Sequence, residues 1–233
     1  MHLFQALYGR RPWLVPEDEK SVIDFCRQNG SLCTLKKKEL LHFGEEDSVY
    51  LIEEGLLATL PILDGEYVHV CGLFGPKTVL GSVRAIRHRH ARMSIRAVAM
   101  SDARVYKMGI REYLDFLEAD PELLHRVTVN ALEKSECQLE GLMINDLRRI
   151  DHRLMLLFEV LISSAAGIDR KDRLIRLPWA LTVTDLASIV HAPRESVSRQ
   201  LSKWQREGRV QKENVNFWID LEALGRDMQG FEW

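Results

Sequence analysis

The sequence contains no Cys-x-x-Cys pair, no stretch approaching the roughly 20 apolar residues of a membrane-crossing helix, and, at a formal net charge of −2, almost no charge imbalance. The four cysteines, Cys26, Cys33, Cys71 and Cys137, are scattered. That spacing argues against a closed zinc site and, in a reducing compartment, against disulfides, so each is expected to act as a small core hydrophobe. The opening segment MHLFQALYGRRPWLVP has no apolar run long enough for a signal core before Arg10 and Arg11, and with no spanning segment later the expected location is the cytoplasm. A net charge of −2 by itself says nothing about partners. What is present suits one or two globular domains: 233 residues, 46% hydrophobic and 28% charged.

Residues 17 to 29 read as a helix, and from about Leu32 the pattern changes to short β-type runs separated by turn signals. Asp64-Gly65, between LLATLPIL and EYVHVCGL, is the signature of a two-residue hairpin. Val98 to Met108 reads as a last strand pair around Ser101-Asp102. Short strands at this spacing predict a β-sandwich or barrel over residues 1–119. A helix starting near Asp120-Pro121 then continues to about Leu147. Leu132, Leu139 and Leu142, with the small Ala131 and Ser135, make a roughly heptad-spaced seam that Gln138 and Asn145 interrupt. Residues 120–147 are therefore read as a dimerisation helix, the alternative being a long helix folded back on its own sheet. A break is expected around Asn145 to Arg149, ahead of an apolar helix from Arg153 to Leu161.

Within residues 148–233, the run from Leu181 to Gly208 reads as two short helices joined by a tight turn. Thr182 can cap the first, with Asp185 as its capping-box partner, and Leu186, Ala187, Ile189 and Val190 point inward. The second starts near Pro193 and stops at Gly208, with Val197, Leu201 and Trp204 as its buried stripe. Its opposite face carries Glu195, Arg199, Ser202 and Arg206, with Ser198 beside them and Arg194 at the start. Arg can donate two hydrogen bonds to guanine and Glu can accept one from the cytosine amino group, so Arg194, Glu195, Ser198 and Arg199 are candidate base readers. Thr182, Thr184, Ser196, Ser202, Lys203 and Arg206 are candidate phosphate contacts. From His191 to Lys212 six basic residues stand against two acidic ones, whereas from residue 150 onward the totals are twelve and twelve; the attraction to phosphate is thus confined to this patch.

The segment APRESVSRQLSKWQREGRV, followed by a hairpin through Glu213 to Asn216 and back along Phe217, Trp218 and Ile219, resembles the winged helix-turn-helix of the Crp/Fnr regulators. Arg194, Glu195 and Arg199 match the residues with which the cyclic-AMP receptor branch reads its half-site. Glu195, Ser198 and Arg199 also fit the Glu-x-x-Ser-Arg pattern of the Fnr branch. The turn departs from the family, with His191 and Ala192 where Gly is usual. The order of sheet domain, long helix and DNA-reading domain is also that of the family. The resemblance implies an α+β chain with a cyclic-nucleotide-binding-like jelly roll, a homodimer, a palindromic double-stranded DNA operator and, in an activator, RNA polymerase as a further partner. Two recognition helices about 34 Å apart would match successive DNA turns.

What the first domain senses turns on Gly81 to Ala99, where Arg84, Arg87, Arg89, Arg92 and Arg96 occur without one acid. The family's Gly-Glu and Arg-Ser phosphate pattern is broken here: Gly81 is followed by Ser82, and Met93 separates Arg92 from Ser94. That argues against cyclic AMP. Gly81, Ser82, Arg84, Arg87, Arg92 and Ser94 remain the candidate effector site, suited to some other anion. The same segment reads equally as a solvated basic loop. A third reading takes haem or a metal on His88 and His90 with Cys71 or His69. Iron-sulfur sensing would need a tight N-terminal cysteine group, and only Cys26 and Cys33 lie near the start. A cupin-like metalloenzyme is the rival from another class, since His88-Arg89-His90 imitates its first ligand pair; no Glu follows until Glu112, and such an enzyme has no use for Arg194, Glu195 and Arg199 on one helix face.

Overall fold

Alternation along one strand explains the layering of the first half. Val49 and Leu51 pack with one core cluster, Tyr50 and Ile52 with another, because successive side chains on a strand point to opposite faces. The computed structural model describes residues 11–41, 47–63, 66–67, 69–87, 94–165 and 173–226. The chain forms two compact units, 1–141 and 142–233.

The first unit holds α1 (Lys20–Asn29), β1 (Ser31–Leu35), β2 (Leu40–Leu41), β3 (Ser48–Glu54), β4 (Leu57–Leu63), β5 (Glu66–Tyr67), β6 (Gly72–Phe74), β7 (Thr78–Leu80), α2 (Ser82–Arg87), β8 (Ser94–Ala99), β9 (Ala103–Gly109), α3 (Ile110–Glu118) and most of α4 (Pro121–Leu147). One sheet runs β1-β9-β3-β7 and the other β2-β8-β4-β5, with β6 also on β4. Tyr50, Ile52 and Val105 from the first sheet meet Leu57, Ala97 and Ala99 from the second, which makes the sandwich interior. On the outer side of the first sheet, Val49, Leu51 and Met108 pack against Val22 and Cys26 of α1, Tyr113 and Leu117 of α3, and Val127 of α4.

The strands on either side of Asp64-Gly65 pair as expected, Leu63 with Glu66 and Ile62 with Tyr67, while Asp64 and Gly65 themselves lie outside the described residues. The expected strand pair around Ser101-Asp102 does not form. β8 pairs with β2 and β4, whereas β9 pairs with β1 and β3, so the chain crosses from one sheet to the other at that corner. Both strands have an apolar face for the same interior, and alternation reports the face without the sheet. The cysteines also divide: Cys26 and Cys137 are buried, but Cys33 and Cys71 are only half-buried.

The α4 helix spans the length read from sequence, and the chain passes from the first compact unit to the second within it, between Gly141 and Leu142. Val129, Leu132, Leu139 and Leu142 are exposed, Leu132 by 62%. Ser135 lies on the same side and donates through Oγ to Ala131 O at 3.1 Å. Ala131 does not belong to that stripe: one residue before Leu132, it is rotated by about 100° and buried. The opposite face buries Lys134, whose Nζ lies 2.5 Å from Asp18 Oδ2, 3.1 Å from Val79 O and 3.5 Å from Ser82 Oγ.

The second unit takes the last turns of α4, then α5 (Ile150–Ser164), β10 (Ile175–Arg176), α6 (Val183–Ile189), α7 (Arg194–Arg206), β11 (Val210–Glu213), β12 (Asn216–Ile219) and α8 (Leu221–Arg226). Its interior is built on α5, where Leu154, Leu157, Phe158 and Leu161 are fully buried, and Phe158 lies 6.3 Å from the Trp204 ring of α7. A three-stranded sheet, β10-β12-β11, completes the unit, and its hairpin turns at Asn214, φ 54°.

Candidate nucleic-acid interface

Local chemistry sets both ends of α6. The Thr182 hydroxyl accepts from the Asp185 N–H at 3.1 Å while the Thr182 N–H donates to Asp185 Oδ2 at 2.7 Å, a complete capping box. The Thr182 oxygen is thereby engaged as an acceptor; Thr184, in the first turn of the same end, is exposed. At the other end Val190 closes α6, His191 takes φ 48°, and the Ala192 N–H donates to Ala187 O at 3.0 Å. This is the left-handed closure that Gly most often provides, here made by His, a residue that tolerates the region better than most.

Pro193 follows, its missing N–H leaving no donor unsatisfied at a helix start, and α7 begins at Arg194. The helix runs to Arg206, with Gly208 at φ 69° just beyond. Val197, Leu201 and Trp204 are buried as read from sequence. Glu195, Arg199, Ser202, Lys203 and Arg206 are exposed, and Ser196 and Ser198 half-buried. At about 100° per residue Glu195, Arg199, Ser202 and Arg206 share one arc opposite the buried stripe, Lys203 and Ser196 flank it on one side and Ser198 on the other. Arg194 opens the helix and is exposed. The structure thus brings together seven of the eight α7 residues singled out by sequence and sets Arg194 apart at the tip.

Apart from Glu195, the charges along this face are positive. A groove along it is lined by Ile150, Ser196, Ser198, Arg199, Gln200, Ser202, Lys203 and Arg206, three cations and no acid. Arg199 Nη2 donates to Ser196 Oγ at 3.3 Å and Arg206 Nε to Ser202 O at 3.4 Å, which holds the two guanidiniums along the helix. Two further cations escaped the sequence reading as site residues. Arg176 of β10 donates to Asn216 Oδ1 at 2.9 Å and lies 5.9 Å from the Trp218 ring; Lys212 of β11 lies 5.5 Å from the Phe217 ring. Both are exposed on the hairpin sheet. Lys212 was visible in the local charge count, but a two-residue strand such as β10 has no periodicity to read.

The candidate effector segment is less uniform than its sequence. Gly81 is buried at φ 101°, and Ser82 to Arg87 are helix α2 rather than loop. Ser82 is buried, with Oγ donating to Val79 O at 3.4 Å and accepting from Lys134. Arg84 has an acid after all: its Nη2 lies 3.7 Å from Asp47 Oδ1, an ion pair invisible within Gly81 to Ala99 because Asp47 comes earlier in the chain. Arg87 closes α2 and Ser94 opens β8. Arg92, Arg89, His88 and His90 lie outside the described residues. Of the other haem or metal candidates, His69 is exposed and Cys71 half-buried, its thiol pushed up by burial. Among the described residues no group of three or more His, Cys, Asp or Glu is placed to hold a metal ion, and no helix is long and apolar enough to cross a membrane.

Residues 148–226 match the Crp-like helix-turn-helix domain. Among solved structures, the chain is similar to TTHB099, a CRP-family transcriptional regulator from Thermus thermophilus, at 22% identity over 85% of this chain and 97% of that one, TM-score 0.67. FixK2 from Bradyrhizobium japonicum is similar at 14% identity over 84% and 96%, TM-score 0.68. The c-di-GMP responsive global regulator CLP of Xanthomonas campestris is similar at 13% identity over 86% and 99%, TM-score 0.66. No curated protein sequence matches the chain. Residues 148–226 are thus a Crp-like helix-turn-helix domain, and the chain shares the fold of solved CRP/FNR transcriptional regulators.

Proposed function

We infer that this chain is a sequence-specific DNA-binding transcription regulator rather than an enzyme, and that it works as a homodimer under the control of an effector of its first unit. The observation that carries the reading is the outward face of α7: Glu195, Arg199, Ser202, Lys203 and Arg206 exposed on a helix whose other side is locked into the core by Val197, Leu201 and Trp204. Arg199 and Arg194 donate to guanines, Glu195 accepts from a cytosine amino group, and Ser198 assists. Thr182, Thr184, Ser196, Ser202, Lys203 and Arg206 anchor phosphates, with Arg176 and Lys212 extending the basic surface onto the hairpin. The exposed leucines of α4 support a dimer through that helix, and a two-fold protein calls for a palindromic operator. RNA polymerase joins the partners if the protein activates. The cytoplasm is the location this role requires.

Binding selection on random DNA tests the reading directly. The expected product is a two-fold palindrome with half-sites resembling TGTGA or TTGA. A good bidentate pair contributes roughly 1–3 kcal/mol of discrimination, so Arg199→Ala relaxes preference at one base pair in each half-site. Lys203→Ala, touching phosphate only, weakens all sequences alike and lowers the salt slope by about one unit. Recovery of no palindrome, or of an unchanged motif with Arg199→Ala, refutes α7 as the reader.

The effector is an anion other than cyclic AMP. Ser82 replaces the acidic residue that family members use toward a ribose, and it is already committed to Lys134. With Arg84 partly engaged by Asp47, the remaining cationic capacity of Gly81, Ser82, Arg84, Arg87, Arg92 and Ser94 lies in its later members. A thermal-shift panel of nucleotides and organic acids, run with Arg84→Ala/Arg92→Ala alongside, identifies it; no shift with any anion leaves the segment without a ligand.

A further inference from the structure

The turn before α7 leaves carbonyls that its own helix does not serve. Pro193 has no N–H, so Ile189 O, four residues earlier, has lost its helical donor, and α6 ends before Val190 O and His191 O can find theirs within it. Side chains from two other helices take their place. Asn145, buried in the last turns of α4, donates through Nδ2 to Ile189 O at 2.8 Å. Arg153, in the first turn of α5, donates through Nη1 to Val190 O at 3.1 Å and to His191 O at 3.3 Å, while its Nε donates to Arg148 O at 2.5 Å. Burial holds the Arg153 guanidinium below its usual pKa, as expected of a group turned onto backbone rather than into solvent. One guanidinium therefore ties the chain leaving α4 to the turn that launches the recognition helix.

We propose that Asn145 and Arg153 are positioning residues for DNA reading: by holding the three consecutive carbonyls of Ile189, Val190 and His191 they set the angle at which α7 leaves the turn, and neither touches DNA. The inference rests on the reading of α7 as the DNA-recognition helix. His191 makes the clamp consequential. A left-handed residue other than Gly is held there by its surroundings, so the turn has neighbouring conformations of similar energy once its carbonyls are released. Base-specific hydrogen bonds tolerate only a few tenths of an ångström, whereas phosphate contacts by long cationic side chains adapt. Loosening the turn should accordingly blur every base that α7 reads and leave the phosphate contacts in place. It also follows that a rearrangement of the last turns of α4 reaches the start of α7 through four hydrogen bonds.

The test uses the full chain, the palindrome recovered by selection, and a scrambled duplex of equal length. Arg153→Lys keeps the charge but cannot reach three carbonyls at once; Asn145→Ala removes the other donor. Both are expected to lose about tenfold in affinity for the palindrome, as one to two hydrogen bonds' worth of positioning, with scrambled-DNA affinity and salt slope held within about twofold of wild type. Their selected motifs flatten at all positions read by α7, unlike the single position lost in Arg199→Ala. Either variant serves if the other fails to fold, and melting temperatures establish which is folded. A folded variant with an unchanged ratio of palindrome to scrambled affinity overturns the proposal, as does a salt slope lowered by one unit in Arg153→Lys, which would make Arg153 a phosphate contact. Wild-type protein without any sequence preference removes the DNA-reading function itself, and this inference with it.

Discussion

Replacing Lys134 with Met keeps the length of the side chain and strands the carboxylate of Asp18 in the interior. The two side chains are 2% and 1% exposed, and Nζ lies 2.5 Å from Asp18 Oδ2. Lys134 has an oxygen near each of its three protons, Asp18, Val79 O and Ser82 Oγ, and Asp18 Oδ2 also accepts the Val79 N–H at 2.6 Å. After Lys134→Met only that N–H remains, and Asp18 Oδ1 has no hydrogen-bond partner to begin with. Breaking one side of a buried pair costs about 3–5 kcal/mol, most of it for the uncompensated charge, since a neutral pair of similar size is often no worse than the ions. The Met stem preserves most of the apolar packing of the Lys chain, so the loss is electrostatic. Asp18→Asn/Lys134→Met should therefore fall well short of the sum of the single losses, with a coupling of about 1–3 kcal/mol. Unfolding of the first unit in urea can be followed by pulse alkylation of Cys26, which is buried among the same groups. A loss below about 1 kcal/mol for Lys134→Met, or strict additivity in the double variant, would refute the picture of a buried pair whose members depend on each other.

Three further outcomes are expected. Cys26, its thiol pushed up to about 12 by burial and then by Asp18 and Glu112, should resist maleimide at pH 8 in the native protein, while Cys33 reacts; equal labelling would contradict that burial. His152 is held below its ordinary 6.5, first by burial and further by Arg149 and Arg148 against Asp151. The unfolded chain then takes up this proton before the folded one, so the second unit loses stability as pH falls through 6.5 toward the lowered folded value, and His152→Asn should melt with a flatter pH dependence between about 7.5 and 5.5. Leu132→Asp with Leu139→Asp places two charges on the exposed stripe of α4 and should give a monomer by sedimentation at about micromolar concentration; a wild type already monomeric with and without DNA would remove the dimer reading.

The helix-turn-helix was legible in the sequence because everything that specifies it is local. The Thr182–Asp185 capping box spans four residues, the buried stripe of α7 follows the helical period, and Pro193 and Gly208 mark its two ends. The length of α4 and the Asp64-Gly65 hairpin are read the same way, from caps and turn chemistry. Tertiary structure decided what depends on partners distant in the chain. Whether β8 and β9 pair or part company is set by which sheet each completes, and alternation is blind to that. Lys134 looks like a solvated helix charge until Asp18, 116 residues away, is brought against it. Arg84 looks unopposed until Asp47 arrives, and Ala131 looks like part of the leucine stripe until the sheet domain covers its side of the helix. Asn145 interrupts an apolar seam in sequence, yet in the fold it holds a carbonyl of α6, 44 residues on. Backbone propensities and caps act over one or two turns and survive in a single sequence, whereas the burial of a polar group is favourable only once the fold delivers its partner.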